Sequence, residues 1–282
     1  MSNILITGGT GYFGRGYVRY LMDHTEVKRI CIFSRDEAKQ AQMRQSIEDP
    51  QQRLHWFIGD CRDQQRLRRA LQDVDAVVHA AALKRVEVGE YNPMEMVKTN
   101  ILGTMNLIEA AQDASVERVI YLSSDKACAP RNAYGATKFA SEKLILAANN
   151  TRGKTGPIYG VTRYGNVAGS TGSVIPTWRA AVKSEYLLIG LSDPECTRFW
   201  MTLQQAIDLV HNTLISMKGG ELNVPELPAY RLGDLADAMG ISPTRIMITG
   251  LGSGEKMHER MLEDGLDSSQ VRRMTIEELR EG

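Results

Sequence analysis

A short extended run, Asn3–Thr7, passes directly into Gly8-Gly9-Thr10-Gly11-Tyr12-Phe13-Gly14, and this junction limits the fold more than any other part of the chain. Gly8, Gly11 and Gly14 stand three apart. The first two permit a tight turn and let the backbone approach a pyrophosphate closely. The third lets the next helix pack on the sheet, and the start of that helix offers N–H donors to phosphate. Residues 12–23 carry Phe13, Tyr17, Val18 and Leu21 at helical spacing, so the glycines sit between a strand and a helix, the context in which such a pattern reads as a dinucleotide site. Thr10, Tyr12 and Phe13 fall in the same turn and are expected to line it.

The same alternation continues. Strands are expected at 29–33, Leu54–Ile58, 76–80 and 116–122, with helical stretches from Asp36, at 66–71 and around 99–111. Strands separated by helices of this length need right-handed crossovers, which predicts an α/β fold with a doubly wound parallel sheet of the Rossmann type. After about residue 165 the pattern is irregular, punctuated by prolines at 176, 194, 225, 228 and 243. We expect a dinucleotide-binding domain over 1–165 and a smaller, mainly substrate-binding part over 166–282, with a soft boundary that the chain recrosses. Its 34 basic and 34 acidic residues cancel, which gives no support for nucleic acid or an anionic membrane as partner. Cys31, Cys61, Cys128 and Cys196 are scattered without a C-x-x-C pair and read as reduced thiols. No apolar stretch approaches the ~18–20 residues of a membrane span, and the first apolar run breaks at once on Gly8, unlike a signal peptide. A cytoplasmic location is expected.

Two further clusters carry chemistry. Ser34-Arg35-Asp36 closes the second strand, where the adenosine ribose of a dinucleotide belongs. A carboxylate there favours NAD, whereas an arginine pairs the 2′-phosphate of NADP. Arg35, helped by Lys39, favours NADP, and Asp36 is the competing signal. Farther on, Tyr134-x-x-x-Lys138 follows Ser124 by ten residues. On a helix the pair shares one face. A phenol titrates near ~10 in water, and a neighbouring ammonium together with the positive nicotinamide ring is expected to lower that value and make a useful base.

With these motifs in view, the chain resembles the extended short-chain dehydrogenases/reductases. Its wording in His79-Ala-Ala-Ala-Leu-Lys84, Lys98-Thr-Asn-Ile-Leu-Gly-Thr104, Leu122-Ser-Ser-Asp-Lys-Ala127, Arg163-Tyr-Gly-Asn-Val-Ala-Gly169, Thr197-Arg-Phe-Trp200 and Gly254-Glu-Lys-Met-His-Glu259 is similar to the inverting UDP-N-acetylglucosamine 4,6-dehydratases of the pseudaminic-acid type. The resemblance implies a hydro-lyase with bound NADP, a nucleotide-sugar substrate such as UDP-N-acetylglucosamine, and a homo-oligomer. It implies that Ser124 holds the C4 oxygen, Asp125 is the acid for the departing C6 hydroxyl, and Lys126 is the C5 base. A lysine base must be neutral, which asks for desolvation or nearby positive charge. It places Asp60, Cys61, Ala80, Ala81, Ala82, Lys84, Thr99, Asn100 and Val167 around the cofactor. Lys84, Leu122, Ser123, Asn166, Val174, Arg198 and Glu255 fall around the sugar nucleotide.

The chain departs from the family pattern at two places. Thr171 stands in the Gly169–Ser173 loop where the family usually has arginine, and Gly252-Ser253 precedes Gly254 where it usually has Arg-Pro. Each loss removes a charged grip on the diphosphate, and Arg163, Arg198, Lys84 and Lys256 are the candidates to compensate. An epimerase, a dehydratase releasing a 5,6-ene from another sugar nucleotide, and a non-catalytic NADP-binding subunit stay open as alternatives. His79 reads as a satisfied residue at a sheet end. His258 with Glu255 and Glu259 suggests a cluster on a helix, short of a metal site, and Trp178 and Trp200 read as packing.

Overall fold

The computed structural model describes residues 1–184 and 188–282. Its strands are β1 Asn3–Thr7, β2 Arg29–Ser34, β3 Leu54–Ile58, β4 Ala76–His79, β5 Arg118–Leu122, β6 Ile158–Thr162, β7 Asn166–Val167, β8 Ile189–Leu191, β9 Thr197–Met201, β10 Leu222–Asn223, β11 Ala229–Arg231 and β12 Ile246–Ile248. The helices are α1 Tyr12–His24, α2 Glu37–Gln45, α3 Gln64–Ala70, α4 Val86–Tyr91, α5 Pro93–Met96, α6 Gly103–Asp113, α7 Ala133–Thr151, α8 Val174–Val182, α9 Leu203–Ser216, α10 Leu232–Ala238 and α11 Ile276–Glu281.

Seven strands form one parallel sheet in the order β10-β6-β5-β4-β1-β2-β3, the doubly wound α/β fold. Ile4, Leu5 and Ile6 are all fully buried, because helices cover both faces of a parallel sheet and its inner strands must be apolar throughout. On one face Ile4, Ile6 and Val78 pack with Leu21 of α1 and with Ile207, Val210 and Leu214 of α9. On the other, Leu5, Val77 and Val119 pack with Leu67, Leu107 and Ile145. The helix expected at 66–71 starts at Gln64, since the Asp63 carboxylate accepts from the Arg66 amide at 2.9 Å and caps it. The helix expected around 99–111 begins as a π-helix at Val97–Leu102 and tightens into α6. On α6, Leu107, Ala110 and Ala111 turn inward while Leu102, just before it, and Met105 remain exposed.

The second half of the chain does not stand apart. Residues 203–216 pack as α9 against α1, and β10 adds to the main sheet beside β6. The remainder builds a three-stranded sheet, β11-β9-β7, and a pair, β12-β8, around Trp178, Trp200, Tyr230, Leu235 and Leu279. A buried ion pair fastens this part to α7: Arg163 donates to Glu142 at 2.9 and 2.5 Å and to the Met261 carbonyl at 2.6 Å. Strand order reverses between β1 and β4, and ligands of such sheets bind in the crevice beyond the strand ends at that reversal.

Candidate active site

The Gly8 amide donates to the Phe33 carbonyl at 2.8 Å and Gly11 closes the turn onto Gly8 at 2.8 Å. Gly8 has φ +66°, and a Cβ there would come within 2.9 Å of the Ala81 backbone, so only glycine lets the turn sit against the end of β4. From this turn a cleft of about 1470 Å³ runs to the carboxyl end of β5. Every residue that the sequence assigned to cofactor or substrate lies on its wall except Asp60 and Asn100. Asp60 instead receives Arg62 at 2.7 and 2.9 Å, with Arg35 at 3.7 Å. These cations hold its carboxyl below the usual range against the pull of burial. Asn100 is spent on backbone, bonding both the amide and the carbonyl of Leu83 at 2.8 and 2.9 Å, and so shapes the wall from behind. At the ribose end, Asp36 caps α2 by accepting from the Lys39 amide at 2.9 Å and pairs with its ammonium at 3.0 Å. Arg35 is half exposed on the cleft wall.

At the other end, Ser124 follows β5 and caps the short turn Asp125–Ala127, its hydroxyl accepting from the Lys126 amide at 3.3 Å. The same hydroxyl donates to Asp125 at 2.8 Å. Asp125 is fully buried, off the cleft wall, and reaches the cleft only through Ser124 and Lys126. Its second oxygen, Oδ2, has no hydrogen-bond partner. Tyr134 and Lys138 come from the first turns of α7. A Cβ on Gly135 would lie 2.2 Å from the Lys126 carbonyl oxygen, so glycine there allows α7 to close onto the Ser124 turn.

Lys126 differs from expectation. Its ammonium lies 3.1 Å from Asp125, 3.5 Å from Glu259 and 3.3 Å from the Asn166 amide oxygen. Burial pulls its affinity for a proton down, but the two carboxylates outweigh it and hold Lys126 protonated. Neutrality by desolvation or by neighbouring cations, which the sequence reading required, is not its resting state. Tyr134 is shifted too: burial pushes the phenol up, and the pull of Ser124 and Lys126 only partly offsets this. The ammonium beside Tyr134 is Lys126. Lys138 donates to the Leu122 carbonyl and lies 4.0 Å above the Tyr121 ring, and burial draws it down to about 7.

Glu259, which the sequence reading named only beside His258 and Glu255 as a cluster short of a metal site, has a place in the site that it did not foresee. The run Glu255–Glu259, expected on a helix, is irregular chain bridged to Thr197 through His258, so helical spacing gave no guide to it. Glu259 is buried between Lys126 and Lys256, at 3.5 and 3.4 Å. Burial raises its carboxyl while Lys126, Arg198 and Lys256 lower it further, for a net drop. His258 bonds Thr197 at 2.8 Å, and among the described residues no three His, Cys, Asp or Glu side chains gather as metal ligands. Of the four cations expected to replace the missing arginines, two are occupied: Arg163 by Glu142, and Lys256 by the Cys128 carbonyl at 2.7 Å. Arg198 lines the cleft but is tied to Glu255 at 2.6 Å. Lys84 lines it with its ammonium lowered by the surrounding protein and then by Arg85 and Lys126. His79 bonds Thr7 and Thr104 at 2.6 and 3.2 Å and is held neutral by burial, as a satisfied sheet-end residue.

The family of polysaccharide biosynthesis proteins matches residues 4–279 of the chain. The UDP-N-acetylglucosamine 4,6-dehydratase (inverting) of Campylobacter jejuni is 46% identical over 260 residues, 92% of this chain and 77% of that protein. The UDP-glucose 4-epimerase of Rickettsia bellii is 42% identical over 267 residues, with the same shares of each chain. The X-ray structure of Pen from Bacillus thuringiensis superposes with a TM-score of 0.93 at 34% identity, covering 99% of this chain and 95% of that one.

Proposed function

The chain belongs to the polysaccharide biosynthesis family of extended short-chain dehydrogenases/reductases, and on that premise we propose that it dehydrates UDP-N-acetylglucosamine across C5 and C6 with inversion at C5. The observation that carries this reading is the convergence of Ser124, Lys126 and Tyr134 on one cleft that begins at a dinucleotide-type glycine turn, with Asp125 directly behind them. The identity to the inverting dehydratase of Campylobacter jejuni supports it.

A bound nicotinamide supplies hydride acceptance from C4 and its return to C6, so there is no net redox change. Ser124 holds the C4 oxygen. With the positive charge of a bound nicotinamide ring added to that of Lys126, the Tyr134 phenol gives its proton up to solvent, and the phenolate then takes the C4 hydroxyl proton. The C4 ketone acidifies C5–H. Lys126 rests as an ammonium, and moving one proton over the 3.1 Å to Asp125 turns the ion pair into an amine and a carboxylic acid. Those are the two forms the elimination needs. Lys126 then removes the C5 proton while the Asp125 proton passes through the Ser124 hydroxyl to the leaving C6 hydroxyl, which departs as water. As hydride returns to C6, C5 takes a solvent proton on the face away from Lys126, and Tyr134 releases its proton to solvent, which restores the resting charges. Lys138 steadies the cofactor end of α7.

NADP is the cofactor we assign. Arg35 and Lys39 support it, and so does the use of the Asp36 carboxylate as a helix cap rather than as a ribose acceptor. Exposed Leu102 and Met105 support a homo-oligomer, and among the described residues no helix is long and apolar enough to cross a membrane. An epimerase reading draws on the Rickettsia bellii relative, but C4 epimerisation has no use for a base at C5. The test is incubation with UDP-N-acetylglucosamine in deuterated water, followed by NMR. A 4-keto-6-deoxy product deuterated at C5 is expected. A C4 epimer or an unlabelled C5 would refute the assignment.

A further inference from the structure

We propose that Arg85 grips the diphosphate of the nucleotide-sugar substrate, beside the start of α8, and so carries the charge that Thr171 does not. The inference rests on the nucleotide-sugar reading above.

Arg85 lies on the cleft wall, exposed, immediately after Lys84. Among the described residues its guanidinium has neither an ion pair nor a hydrogen-bond partner. Of the neighbouring cleft cations, Arg198 is engaged with Glu255 and Lys126 with Asp125 and Glu259, while Lys84 shares the wall with its ammonium lowered by burial, Arg85 and Lys126. Glu87 and Glu90 share the wall with Arg85, yet neither comes within ion-pair distance of it, and Glu90 accepts from the Ala133 amide at 2.9 Å. An unneutralised guanidinium inside a ligand cleft is a site for an anion, and its fork suits phosphate oxygens.

The adjoining wall fits the same ligand. The Arg85 side chain lies along Gly172: a Cβ on that glycine would stand 3.0 Å from Nε and 3.3 Å from Nη2, and its φ is +75°. Any side chain at 172 would push the guanidinium away. One residue later Ser173 leads into α8, and its buried hydroxyl has no hydrogen-bond partner. The Val174 and Ile175 amides at the start of this nine-residue helix find no acceptor among the described residues. Open amides at a helix start and an unpaired hydroxyl await an acceptor with several oxygens. Arg85 supplies the balancing charge.

A diphosphate could belong to the sugar nucleotide or to the dinucleotide, so the test separates them. Titrate the wild-type protein, Arg85→Gln and Arg85→Lys with UDP, uridine and NADPH by calorimetry, and measure steady-state kinetics. In Arg85→Gln, UDP binding is expected to weaken by about 10- to 100-fold, with uridine and NADPH unchanged and KM raised more than kcat is lowered. Arg85→Lys should recover part of the loss. Unchanged UDP affinity in Arg85→Gln, or an equal loss for uridine, overturns the inference alone. A loss for NADPH in place of UDP reassigns Arg85 to the cofactor and overturns it as well. A wild-type protein that binds NADPH but ignores UDP defeats the nucleotide-sugar reading, and this inference with it.

Discussion

At the glycine turn the cleft is walled by backbone and by exposed charge, with Gly8 and Gly11 closing hydrogen bonds to the main chain and Arg35 and Lys39 half in water. At the carboxyl end of β5 it is backed by buried side chains, where Lys126 and Lys256 balance Asp125 and Glu259 largely away from solvent. The first end is assembled from neighbours in sequence. The second takes Ser124 from a strand end, Tyr134 from a helix and Glu259 from irregular chain more than a hundred residues later. Charges in water interact weakly and tolerate exchange, whereas buried charges are coupled and do not. Changes at the two ends should therefore differ in kind.

The largest effect is expected at the buried end. Tyr134→Phe should lower kcat by about 10²–10⁴-fold, the usual worth of a positioned acid–base group, while thermal unfolding and NADPH binding barely move. Retained turnover in that variant would erase the chemical distinction between the two ends.

Next is the ion pair that anchors this end. Glu142→Gln leaves the Arg163 guanidinium buried opposite a neutral amide, and a broken buried pair costs about 3–5 kcal/mol. Chemical denaturation should show that loss, and a change under about 1 kcal/mol would mean that the pair is not the anchor described.

The exposed end should respond more mildly and divide its roles. Arg35→Ala should weaken NADPH binding by about tenfold with little effect on NADH. Asp36→Ala should instead cost about 0.5–2 kcal/mol of stability as a lost helix cap. If Asp36→Ala shifts the NADPH/NADH ratio while leaving stability intact, the carboxylate serves the ribose and the assignment of NADP falls.

A pH dependence probes the buried end without touching the chemistry. Burial depresses Lys138 from 10.5 to about 7, so between those values the unfolded chain binds a proton that the folded one does not. Stability then rises with pH across that window. The stability of cofactor-free wild type relative to Lys138→Met should grow from pH 7 towards pH 10, and a flat difference would show that Lys138 is not desolvated.

Much of the cofactor end was legible in the sequence because its determinants are local. Glycine spacing, strand periodicity and the Asp36 cap each act within one turn or one strand, and β1 and β3 lie where the pattern put them. Ser124, Lys126, Tyr134 and Lys138 were legible as motif residues, but their charge states were not. Lys126 beside Asp125 gives no hint of Glu259, and Tyr134-x-x-x-Lys138 suggests a phenol next to its own helix's lysine, whereas the tertiary fold sends Lys138 to Leu122 and gives Tyr134 the ammonium of Lys126. Protonation depends on burial and on charges within a few ångströms, whatever their separation in sequence. The glycine turn, the parallel sheet and the candidate groups that meet in the cleft were therefore legible in the sequence alone. Which lysine stays charged, which arginines are already occupied and that Arg85 is left free beside α8 were decided only when the chain closed on itself.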